Sequence, residues 1–100
     1  KTLAAGMRVP LAVGDFIIYE ILHKSKGTAI RISDDEMLEG VSLLASEEGI
    51  FAAPEGGAIV MASKKLRDNS FIKDTDKVVL VNTGSAYKYL DMMGKRFWGD

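Results

Sequence analysis

The sequence predicts an α/β fold, a mostly parallel sheet with helices on its faces, and three observations carry that expectation. Val78-Val79-Leu80-Val81 is an unbroken apolar run that ends abruptly in the turn Asn82-Thr83-Gly84-Ser85. Four consecutive branched or aliphatic residues suit a strand covered on both faces, as in a parallel sheet. Helical and extended patterns alternate along the chain, and each extended pattern is followed by a helix start. Open parallel sheets bind ligands beyond the carboxyl ends of their strands, so Thr83 and Ser85 stand where a site is expected.

Composition narrows the class. One hundred residues amount to one domain at most, or part of one. The apolar share of 47% and the charged share of 27% are those of an ordinary globular chain. A net charge of −1 gives no electrostatic reason to expect nucleic acid or an acidic membrane surface as partner. The chain has no cysteine, which excludes disulfides, thiolate chemistry and zinc–thiolate sites and fits a reducing, cytoplasmic setting. No apolar stretch approaches the roughly 20 residues that span a bilayer. The longest, around Phe16 to Leu22, is broken by Glu20, and no signal-peptide pattern opens the chain. Opening on Lys1 fits a chain cut from something longer.

The elements follow in order. Residues 1–14 carry Gly6, Pro10 and Gly14 and read as a loop. A helix is expected from Asp15 to about Lys26, with Ile18, Ile21 and Leu22 on one face, Asp15 in its first turn and Gly27 as its stop. Thr28 to Ile32 alternates as a strand does. Ser33-Asp34-Asp35-Glu36 has the spacing of a capping box. The helix it opens places Met37, Val41 and Leu44 at helical spacing and stops at Gly49. Ile50 to Ala53 reads as a short buried strand, and Pro54 sits in the first turn of the next helix. Ala58, Ala62 and Leu66 give that helix a narrow face suited to lying close against a sheet. A polar connection over 68–76, anchored by Phe71 and Ile72, leads into the strand at 78–81. A short helix from Ser85 towards Met92 closes the chain. Right-handed crossovers then bring Ser33, Glu55 and Thr83 to a common rim.

Several motifs carry chemistry, each beside a plainer reading. Pro54-Glu55-Gly56-Gly57 offers backbone amides to an anion at a helix start, but Glu55 competes for that positive end, and close helix packing explains the glycines equally. Asn82-Thr83-Gly84-Ser85 is either a ligand-binding turn or an ordinary one. Arg8, between Gly6 and Pro10, is a carboxylate or phosphate clamp or a solvated loop residue. Three carboxylates over 34–36 are explained by capping, and no metal site is expected. His23 is a surface residue without a second histidine to relay to. Tyr87 and Lys88 lie near the rim, where acid–base work is possible. Read from residues alone, the chain is an α/β piece with a ligand-binding edge and no nucleophile–base pair.

Gly6-Met7-Arg8-Val9-Pro10, Glu48-Gly49-Ile50-Phe51 leading into Pro54-Glu55-Gly56-Gly57-Ala58, and Val81-Asn82-Thr83-Gly84-Ser85 with Lys88 three residues on resemble, in that order and spacing, the C-terminal part of the threonine synthase family. The similarity spans roughly residues 2–91. It implies a pyridoxal-phosphate enzyme of the tryptophan-synthase-β-like fold, a carbon–oxygen lyase of threonine biosynthesis. Its reaction turns O-phospho-L-homoserine and water into L-threonine and phosphate, with the cofactor as electron sink for γ-elimination and then β-addition. The implied cofactor-binding residues are Thr83, whose neutral hydroxyl would bond the pyridine nitrogen and leave it largely unprotonated, Gly6, whose backbone would pass beside the ring, and Glu55, an acidic position near it. A homodimer and the remainder of the catalytic domain are the implied partners.

The family's Schiff-base lysine and phosphate-cradling glycine loop match nothing among the 13 basic residues or the glycines. The chain is accordingly expected to be a single segment from the C-terminal part of the catalytic domain, without the N-terminal and central parts and inactive alone. Ala86-Tyr87 also replaces the Gly-Leu expected after the Thr-Gly-Ser turn. The alternatives are a related enzyme of the same framework, cysteate synthase or threonine dehydratase, and a free-standing non-catalytic ligand-binding module.

Overall fold

The structure, a computed structural model, describes residues 2–99. It is helical: α1 (Asp15–Ser25), α2 (Asp34–Glu48), α3 (Pro54–Asp68) and α4 (Leu90–Phe97), with 3-10 turns at Ala5–Met7 and Ala86–Tyr89.

The helix boundaries follow local chemistry. Ser33 caps α2 through a reciprocal box, in which the Glu36 amide donates to Ser33 Oγ at 3.3 Å and the Ser33 amide donates to Glu36 Oε2 at 2.8 Å. Gly49 ends α2 at φ 67°, a left-handed turn that glycine adopts without steric penalty. Pro54 opens α3 at its first position. At the end of α1 it is Lys26, not the expected Gly27, that takes the left-handed conformation, at φ 56°, while the Gly27 amide turns back to the Leu22 carbonyl at 3.0 Å.

The centre of the fold is the crossing of α2 and α3. Gly40 and Gly57 are both buried, and a Cβ on either would run into the backbone of the opposite helix. Glycine is needed at both positions because the two main chains touch there. Met37 and Ala58 pack beside that contact with Ala4, while Leu38 and Val41 meet Ala86 and Met93. Lys65 of α3 reaches Glu36 of α2 at 2.6 Å and fastens the two helices from outside.

The parallel sheet expected from the sequence is not there. Among the described residues there is no strand, only one antiparallel bridge, Ala52 with Ser85, in which the Ala53 amide donates to the Gly84 carbonyl at 3.1 Å and the Ala86 amide to the Phe51 carbonyl at 3.0 Å. Residues 28–32 and 78–81 carry no regular structure, and Val79 is 85% exposed. The physical reason is that an extended segment pairs its backbone only through a neighbour, and among the described residues none of these segments hydrogen-bonds to another. The small-residue face of α3 that was assigned to a sheet packs on α2 instead. Phe71, expected as an anchor, is half exposed, whereas Ile72 is partly covered. The last helix starts later than expected and runs on to Phe97.

Candidate functional site

The bridge between residues 52 and 85 sets the start of α3 against the Asn82–Ser85 turn, and the 3-10 turn after Ser85 adds a third side. Ser85 caps that turn, its Oγ accepting from the Tyr87 amide at 3.3 Å. Where these elements meet the Gly6 loop there is a recess of about 240 Å³, lined by Gly6, Ala53, Glu55, Thr83, Gly84, Lys88 and Tyr89. A complete small-molecule site usually encloses about 300–1,000 Å³, so this recess has the size of one wall.

Glu55 organises it. Its Oε1 accepts from the Gly6 amide at 2.8 Å and from the Tyr89 hydroxyl at 3.0 Å. A Cβ on Gly6 would sit 2.8 Å from that same oxygen, so a side chain there would require the carboxylate to shift. Glu55 Oε2 is buried with no donor among the described residues. Hydrogen bonding to Glu55, burial and the carboxylate's charge together raise the Tyr89 pKa, against the lowering influence of the Gly6 backbone and the Arg8 charge. Arg8 itself donates through Nε to the Thr2 carbonyl at 2.7 Å, which holds its loop.

Gly6, Glu55 and Thr83, taken from three separate parts of the sequence, line one recess, with Thr83 exposed at its edge. Ser33, expected at the same rim, is absent from the lining and serves as the α2 cap. The amides of Gly56 and Gly57 both donate to the Ala53 carbonyl, at 2.8 and 3.1 Å, so they are not offered to an anion. His23 is exposed and stacked on Tyr19, their ring centres 6.3 Å apart. Tyr87 points away from the recess residues to pack edge-on against Phe51, at 5.9 Å. Tyr89 was not anticipated. The signal for it was the register of a 3-10 turn, in which residues three apart eclipse, so Tyr89 lies over the buried Ala86.

A second, open hollow on the far side of the turn is lined by Phe51, Asn82, Thr83, Ser85 and Tyr87 among others. Thr83 and Gly84 are therefore shared between two concavities, and the turn forms a thin partition.

Comparison with known proteins bears on what this wall is for. The family model described as pyridoxal-phosphate dependent enzyme matches residues 1–84. The chain belongs to that family. Its cofactor is pyridoxal phosphate. Among curated relatives it is similar to a threonine synthase of Methanocaldococcus jannaschii, 30% identical over 88% of this chain and 22% of the relative. A threonine synthase of Bacillus sp. (strain ULM1) is 32% identical over 92% of this chain and 26% of the relative, and one from Methanosarcina acetivorans is 32% identical over 88% and 22%. The chain thus spans about a quarter of the length of these relatives. No solved structure matches it. No helix among the described residues is long and apolar enough to cross a membrane.

The residues present fit the family's cofactor in two respects. The unpaired Glu55 Oε2 is an acceptor with no protein donor among the described residues, and the Gly6 backbone, without a side chain, lies directly on that carboxylate at the edge of the recess. Bound pyridoxal phosphate supplies a ring that withdraws electrons from the substrate carbon.

Proposed function

We propose that this chain forms one wall of the cofactor site of a threonine synthase, a carbon–oxygen lyase that converts O-phospho-L-homoserine and water to L-threonine and phosphate. The observation that carries the reading is the convergence of Gly6, Glu55 and Thr83 on one recess. The names of the similar proteins support the reaction. Within this wall, Thr83 offers a neutral hydroxyl to the ring nitrogen. Gly6 lets the backbone run close beside the ring. Glu55 carries the negative charge and the unsatisfied acceptor of the recess. The remainder of the site, including the lysine that carries the cofactor, belongs to chain outside these residues.

The same reading accounts for the exposed apolar surface. Phe16, Ile18 and Ile21 of α1 and Val79 and Val81 of the extended segment are each more than half exposed. The radius of gyration is 14.7 Å, against about 13 Å for a compact domain of this length. Such a surface fits a piece that packs against more of its own catalytic domain better than a free-standing binding module. The homodimer and the cytoplasmic location implied by the resemblance belong to the same proposal.

Thr83→Val in the full native protein tests it. The change is nearly isosteric and removes a single hydroxyl. Turnover of O-phosphohomoserine should fall about tenfold, the loss expected for one hydrogen bond to the reacting system, and the absorbance of the bound cofactor should shift. Unchanged turnover together with an unchanged spectrum overturns the assignment.

A further inference from the structure

Glu55 is the one recess residue held from two sides. Its Oε1 is occupied by the Gly6 amide, 49 residues away in sequence, and by the Tyr89 hydroxyl, 34 residues away. Both donors fall on the same oxygen. Its partner Oε2 is buried without a donor, an arrangement native proteins seldom keep without a use, since an unpaired buried acceptor is unfavourable. Tyr89 is partly buried, and its ring packs on the cluster of Leu38, Val41, Ala86 and Met93, which fixes the direction from which its hydroxyl arrives.

We propose that Tyr89 is a positioning residue for Glu55: with the Gly6 amide it pins Oε1 and leaves Oε2 as the acceptor for an N–H or O–H of the bound cofactor and amino-acid substrate. The inference rests on the cofactor-site reading above. The phenol is suited to the task because it remains protonated, and therefore a donor, throughout the neutral range, its pKa lying above the ordinary tyrosine value. The other charged groups on this side are Lys88, lining the recess, and Arg8, whose charge acts on the phenol. Both are cationic, and neither is removed with the hydroxyl of Tyr89.

The experiment uses the full native protein loaded with pyridoxal phosphate and reads cofactor absorbance, kcat, KM and Tm for the native chain, Tyr89→Phe and Glu55→Gln. Without the phenol the carboxylate is held from one side only. In Tyr89→Phe kcat should therefore fall about tenfold, the loss expected for one hydrogen bond, and the cofactor absorbance should move in the same sense as in Glu55→Gln. A Tyr89→Phe protein with a lowered Tm but the native spectrum and kcat would show that the phenol only braces the fold, and the proposal would fall. The Thr83→Val result separates the two ideas. If that variant behaves as expected and Tyr89→Phe leaves spectrum and kcat in place, the positioning role fails alone. If Thr83→Val has no effect, the cofactor-site reading fails first.

Discussion

The α2–α3 crossing and the extended segment at 78–81 invert the usual association of burial with hydrophobicity. The crossing is made of Gly40, Gly57 and Ala58, residues with little or no apolar side chain, and it is buried. Val78 to Val81 is an unbroken run of branched apolar residues, and Val79 is 85% exposed. The difference lies in the backbone. A helix satisfies its own amides and carbonyls, so two helices need only matching surfaces, and glycines let them approach until their main chains touch. An extended segment must find its hydrogen-bond partners elsewhere, and apolar side chains alone cannot supply them.

The comparison breaks most visibly at Gly57. Gly57→Ala pushes a methyl into the Met37 backbone and Val41, and the helix pair has no flexible side chain to yield. Overpacking against backbone should destabilise by about 3 kcal/mol or more, read as a lowered midpoint in urea unfolding. A result near zero would mean that the crossing is looser than the structure has it.

The same helix pair should show acid sensitivity. The hydrogen bond from Lys65, together with those at Ser33, holds the Glu36 carboxyl down to about 2 from 4.5. Because the folded value is the lower one, the stabilisation is complete above the unfolded value and is lost as the pH falls from about 4.5 towards about 2. Glu36→Gln should flatten the stability profile across that window while leaving its shape at neutral pH unchanged. An identical acid limb in the variant would assign the effect to other carboxylates.

The smallest effect is expected at the other pole. Val79→Thr keeps the β-branched shape and adds a hydroxyl at a site open to water, so the chain's own stability should move by no more than about 0.5 kcal/mol, measured in the same unfolding assay. A large loss would show that residues 78–81 are packed after all.

Helix termini were legible because they are local. The Ser33–Glu36 box, Gly49 and Pro54 each state their role within four residues of chain, and each is where the sequence puts it. The sheet was not legible, because alternation at 28–32 and the run at 78–81 report only that a segment would suit a strand. Pairing depends on what lies beside it, and among the described residues Thr28 to Ile32 meets the Lys65 side chain and the cluster of Ala4, Met37 and Ala58 but no second extended segment. Lys26 shows the same limit on a smaller scale, since the left-handed position fell one residue before the glycine that advertised it. Of the recess lining, Gly6, Glu55 and Thr83 were named through family resemblance, whereas Tyr89 depended on the register of a 3-10 turn that no motif announces. Ser33 was drawn to the rim only by the assumed crossover geometry, and it left with the sheet.

The three-way junction at Glu55 also governs how the chain can change in length. Residues 69–82 form a connection between α3 and the turn at 82–85, and lengthening such a loop is entropically mild, about 0.6 kcal/mol for each doubling. Insertions there would leave the recess as it is. Between Ser85 and Tyr89 a single added residue would carry the phenol a third of a turn around the 3-10 axis and off the carboxylate. Descendants of this sequence are thus free to vary in the long stretch before the bridge and held to a fixed count in the short one after it.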